Sequence, residues 1–157
     1  MSKTTFTVKK DELKVVMERV FDAPRELVWK IISDPKMVPK WWGPERFETI
    51  VDKMDFRVGG EWRFIHKAEG EQHSFHGIYQ EIVPLEKISD TFNYEPIGPG
   101  HEMVETLVLE ATPDGKTKAA QTSAFKNIED LEGMVNSGME DGATETWERL
   151  AALAEKS

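Results

Sequence analysis

The chain has 157 residues, 39% hydrophobic and 31% charged, with a net charge of −9 and no cysteine. This composition fits a folded domain with a sizeable core, and it excludes disulfides and thiolate chemistry. The acidic balance with scattered bases argues against nucleic acid, and the absence of a long apolar run or signal-peptide core points to a cytoplasmic protein without a membrane span.

In chain order, Leu13 to Phe21 alternates as a first strand, with Leu13, Val15, Met17, Arg19 and Phe21 on one face. The residues before it, about ten, are expected to be flexible or to extend that strand. Asp22-Ala23-Pro24 resets the chain, and Leu27, Val28, Ile31 and Ile32 recur at helical spacing until Asp34-Pro35. A second short helix runs from Lys36 to Trp41 and stops at Trp42-Gly43-Pro44.

From Phe47 to Phe125 the period falls to two, and six strands are predicted. They cover Phe47 to Phe56, Glu61 to Lys67, Ser74 to Val83, Lys87 to Tyr94, Met103 to Ala111 and Thr117 to Phe125. Gly59-Gly60 and Pro113-Asp114-Gly115 are turn signals between them. The chain then returns to helix. Asn127 is placed as an N-cap, with a short helix over residues 128–136 and a long one over 139–155. Met139, Ala143, Thr146, Trp147, Leu150 and Leu153 form the apolar stripe of the long helix.

Consecutive strands with hairpin signals imply an antiparallel sheet, and a terminal helix with one apolar face must pack on it. The prediction is an α+β domain spanning residues 1–157. A curved seven-stranded antiparallel sheet wraps around the long C-terminal helix, with two short helices after the first strand. Strong twist lets such a sheet curl and leave a cavity against the helix.

Several segments carry a family resemblance: Val28-Trp29, Asp34-Pro35, Trp41-Trp42-Gly43-Pro44, Asp55 through Trp62, Gly77 through Pro84 and Trp147-Glu148-Arg149-Leu150. Over residues 10–155 the chain resembles the bacterial activator-of-heat-shock-ATPase homologue (AHSA-type) family of the START-like (SRPBCC) superfamily. The resemblance implies a helix-grip (START-like, Bet v-like) fold with a deep, mostly apolar cavity. The superfamily includes lipid carriers, hormone-binding proteins, polyketide cyclases and aromatases. The eukaryotic namesakes are co-chaperones with a separate N-terminal domain, which these 157 residues are not expected to hold.

The residues expected to line such a cavity are Trp41, Trp42, Trp62, Phe64, Tyr79, Phe92, Tyr94, Met139 and Trp147, with His66 and Glu81 as polar anchors if they face inward. Each aromatic is equally suited to ordinary core packing. Trp41 and Trp42 are adjacent, so both cannot point in one core direction. His66 shares strand parity with Trp62 and Phe64, and Glu81 shares it with Tyr79 and Gly77. His66 and His76 lie on neighbouring predicted strands, but no carboxylate cluster accompanies them, so neither metal nor cofactor is predicted. Gly59-Gly60 lacks the Lys and Ser/Thr of a phosphate loop and reads as a turn.

Three functions compete. The first is binding of a small hydrophobic or aromatic molecule in the cavity, by a monomer or homodimer. The second is a cyclase- or hydrolase-like enzyme, which requires Glu81, Arg63 or His66 to converge. The third is a chaperone-interaction module with an exposed apolar patch around Val38 and Trp42.

Overall fold

A computed structural model describes residues 3–156. Eight strands form the sheet: β1 (Thr5–Lys9), β2 (Lys14–Phe21), β3 (Glu48–Met54), β4 (Glu61–Ala68), β5 (Glu71–Val83), β6 (Lys87–Tyr94), β7 (Met103–Ala111) and β8 (Thr117–Ala124). The helices are α1 (Arg25–Ile32), α2 (Val38–Trp41), α3 (Ile128–Asn136) and α4 (Met139–Glu155). The sheet order is β1-β2-β8-β7-β6-β5-β4-β3, antiparallel throughout.

The strand count exceeds the expected seven by one. Thr5–Lys9 turns back through Lys10–Glu12 and pairs with β2 as a separate edge strand. Its residues alternate between exposed and half-buried; Phe6 and Val8 pack against the core beside Val15, and ladder hydrogen bonds to β2 complete its attachment.

Topology explains why a chamber forms. The chain leaves β2 near one edge and resumes at β3, the opposite edge. Helices α1 and α2 span that distance. Val28, Ile31 and Ile32 of α1 share one face and are buried. The last helix lies against the same side. Trp147, Leu150, Ala151 and Ala154 of α4 are buried, and Trp147 packs on Phe21 of β2 at a centroid distance of 5.6 Å.

The two C-terminal helices occupy the predicted ranges. Asn127 Oδ1 accepts the Asp130 N–H at 2.8 Å, which satisfies an otherwise orphaned donor at the start of α3. Gly138 takes a left-handed conformation between α3 and α4, so the break falls where the glycines permit it. Among the described residues no helix is long and apolar enough to cross a membrane.

Candidate functional site

Between sheet and α4 lies a cavity of about 700 Å³. Its floor follows from strand parity. On β4, Trp62, Phe64 and His66 point inward, and all three are buried. On β5, Phe75 and Tyr79 face the same space. Gly77, between them, is required by close approach: a Cβ there would lie 1.8 Å from the Thr91 carbonyl oxygen and 2.6 Å from Trp62 Nε1. On β6 the inward residues are Ile88, Asp90, Phe92 and Tyr94, and on β7 they are Met103, Glu105, Leu107 and Leu109. Met139, Ala143, Trp147 and Leu150 of α4 form the roof.

Aromatic packing is densest under the loop after α2. The Trp42 ring lies 5.0 Å from Phe64, 4.7 Å from His66, 5.3 Å from Phe75 and 6.2 Å from Trp62. Phe47 stacks on His66 at 5.2 Å. The loop itself is tied to α4. Arg149 donates to the Gly43 carbonyl at 2.5 Å and to the Lys40 carbonyl at 3.0 Å, and the Gly43 N–H donates to Thr146 Oγ1 at 3.2 Å. Gly43 has φ +85°, and a Cβ there would stand 2.2 Å from His66 Nε2.

His66 is 6% exposed, and its Nε2 has no hydrogen-bond partner. Burial holds its pKa down at about 4, helped by the charges of His73, Arg149 and Arg46, so the ring is neutral at pH 7. It contributes an aromatic face, with Nε2 sealed against Gly43 rather than open to the chamber. Closer to the rim, Tyr94 Oη lies 2.5 Å from His73 Nδ1, and His73 Nε2 lies 3.1 Å from Glu71 Oε1.

Ten of the eleven residues expected at the cavity line it: Trp41, Trp42, Trp62, Phe64, His66, Tyr79, Phe92, Tyr94, Met139 and Trp147. Both adjacent tryptophans contribute, because Trp41 ends α2 while Trp42 is already extended. Glu81 does not. It is exposed and pairs with Lys87 at 2.8 Å. The cause is a bulge: Tyr79 opposes Asp90 and Glu81 opposes Ser89, so two steps on β5 match one on β6 and parity reverses.

Arg63 faces the other side of the sheet. It donates to both Glu95 oxygens at 2.8 and 2.9 Å and to Asp52 at 3.3 Å. Its hydrogen bonds hold the Glu95 carboxyl down at about 2. Glu81, Arg63 and His66 therefore do not converge. His66 stands opposite His73 rather than near His76, which opposes Arg63 and binds Glu95. Among the described residues no three His, Asp or Glu side chains form a metal-binding group. Val38 is 1% exposed and Trp42 is partly buried, so the apolar surface patch expected around them is not formed.

Sequence reasoning missed the polar floor. Asp90 of β6 and Glu105 of β7 are cross-strand partners, and Tyr79 opposes Asp90 on the other side. The Gln121 amide donates to Glu105 at 3.1 Å. Asp90 Oδ1 is sealed without a hydrogen-bond partner. Both carboxyls are enclosed by protein yet only half-buried by surface, because what they expose faces the chamber. Burial raises Glu105 to about 7. Asp90 is raised well above the usual carboxylate range by burial and then by the charge of Glu105. Tyr79 is also pushed up, by burial and the nearby Asp90. The missed signal was parity: Asp90 stands in register with Ile88 and Phe92, and Glu105 with Met103 and Leu107.

A curved antiparallel sheet gripping a long C-terminal helix over a lined chamber defines a helix-grip domain. Residues 22–155 match the family described as Activator of Hsp90 ATPase homolog 1-like protein, and the chain belongs to that family. No curated protein matches it in sequence. Among solved structures, it is similar to an Arthrobacter aurescens protein, with 23% identity, coverage of 98% of this chain and 92% of that one, and a TM-score of 0.89. A Chromobacterium violaceum protein is 29% identical over 91% of this chain and 97% of that one, with a TM-score of 0.81. An AHSA1 protein from Silicibacter pomeroyi is 22% identical over 92% and 99%, with a TM-score of 0.73.

Proposed function

We propose that the protein binds a small, largely apolar organic molecule in the chamber between sheet and α4. The observation that carries this reading is a cavity of about 700 Å³ walled mainly by aromatic and aliphatic side chains with a few polar groups. That volume lies in the range of pockets that enclose drug-sized ligands. Burying about 300 Å² of apolar ligand surface contributes roughly 7 kcal/mol before ordering costs are subtracted. Specificity then falls to the few polar groups that face the chamber.

Native mass spectrometry of gently purified protein, compared before and after denaturation, tests the reading. A lost mass of small-molecule size supports it. A bare chain mass, combined with no saturable binding of the neutral dye N-phenylnaphthylamine, would sink it.

A second reading, acid–base catalysis in the same chamber, is favoured by the chain from Tyr94 through His73 to Glu71 at the rim. A carboxylate-oriented histidine beside a tyrosine hydroxyl is suited to moving a proton. This reading requires Tyr94→Phe to abolish turnover of a bound compound while leaving its affinity unchanged.

A further inference from the structure

We infer that the Asp90–Glu105 floor is a subsite for a basic nitrogen, so that the ligand is an amine carried on an apolar body. This rests on the reading of the chamber as a binding site and adds the chemical class of the ligand.

The first ground is a pair of acids without a basic partner. Asp90 and Glu105 stand directly opposite each other on β6 and β7. Among the described residues, Arg46 is the single Lys or Arg lining the cavity, and it is exposed at the rim, paired with Glu71. The carboxyls therefore have no cation of the protein's own. Gln121 supplies one donor to Glu105, and Asp90 Oδ1 receives none. From the helix side, the exposed Asp141 and the half-buried Glu145, whose Oε2 accepts the Glu45 N–H at 2.7 Å, add acids rather than a base at the cavity's edge.

The second ground is cost. Two adjacent carboxyls removed from bulk water are unfavourable unless protonated or compensated. A hydrophobic pair would pack this floor at lower cost, so the acids make the fold worse as a core and better as a receptor. An ammonium group brings both a positive charge and several N–H donors to the oxygens that lack them.

The third ground is the surroundings. Phe92 lies two residues from Asp90 on the same inward face, and Trp62 lies 5.8 Å from Phe92 between ring centroids. Aromatic faces beside carboxylates favour an organic cation over a neutral polar group. The same rings, with Trp147 above, would hold the apolar body.

The test is calorimetric titration of the full chain with naphthylethylamine, its neutral isostere naphthylethanol, and the anionic naphthylacetate. The expected order is amine, then alcohol, then acid, with the amine about tenfold tighter than the alcohol. Asp90→Asn and Glu105→Gln keep the side-chain shape, and each is expected to reduce that preference to about threefold or less. The wild-type comparison decides the matter even if a variant fails to fold. An alcohol bound as tightly as the amine overturns the subsite and leaves the apolar cavity reading standing. An amine preference that survives both substitutions also overturns it. No binding by any of the three, or by N-phenylnaphthylamine, overturns the subsite and the cavity reading together.

Discussion

Replacing Glu105 with Gln isolates what the buried acid costs the fold. Glu105 rises from its ordinary 4.5 to about 7 in the folded chain. At roughly 1.4 kcal/mol per unit, that shift is worth about 3 kcal/mol as an order of magnitude. A raised carboxyl contributes stability that is fully present below its unfolded pKa and lost as pH rises through the folded one. The loss therefore falls between pH 4.5 and about 7. His66 acts in the opposite direction. Its pKa falls from 6.5 to about 4, so its contribution is present above 6.5 and lost as pH drops through the folded value. Over the shared window the two slopes offset each other. Glu105→Gln removes one slope and keeps an oxygen that can accept from Gln121. Urea unfolding followed by tryptophan fluorescence at several pH values is the assay. The variant gains on wild type as pH rises, up to about 3 kcal/mol above pH 7, with the two converging in acid. Titrating groups remote from Glu105 cancel in the difference, whereas Asp90, raised in part by the Glu105 charge, loses that part of its shift in the variant and adds to the gain. Parallel stability curves for the two proteins from pH 5 to pH 8 would refute the buried, solvent-starved placement of Glu105.

Gly43→Ala combines a left-handed φ of +85° with a Cβ 2.2 Å from His66 Nε2, so thermal unfolding should show a loss of about 2 kcal/mol or more. Arg149→Lys keeps the charge but loses the fork that holds the Gly43 and Lys40 carbonyls, and a cost of about 1–2 kcal/mol is expected in urea titrations. Glu81→Ala removes only a surface pair with Lys87; stability should change by less than about 0.5 kcal/mol, and dye affinity in the chamber should not change.

Much of the fold was legible because its periodicities are clean. Lys87–Tyr94, Met103–Ala111 and the helix pair Ile128–Asn136 and Met139–Glu155 fall where alternation, the Asp114-Gly115 turn and the Asn127 cap put them. The edge strand Thr5–Lys9 escaped because its apolar face is only two residues long, Phe6 and Val8, too short an alternation to mark a strand without the pairing with β2. Glu81 was misplaced because one extra residue at Gln80 cannot be seen in a pattern, yet it reverses every side chain beyond it. Asp90 and Glu105 were passed over for a different reason. Acidic residues are usually exposed, and among the chain's 29 acids nothing local marks these two except sharing parity with apolar neighbours. Their meaning arises from β6 lying beside β7, a long-range fact.

Whether the chamber accepts a small molecule can be read directly from the five tryptophans. Trp41, Trp42, Trp62 and Trp147 line the cavity, while Trp29 does not. In a nitrogen-15 correlation spectrum each indole N–H gives its own signal. Titration with N-phenylnaphthylamine should shift the four lining signals together, with one shared dissociation constant, and move Trp29 least. Absence of any saturable shift, or a saturable shift confined to Trp29, would contradict the account.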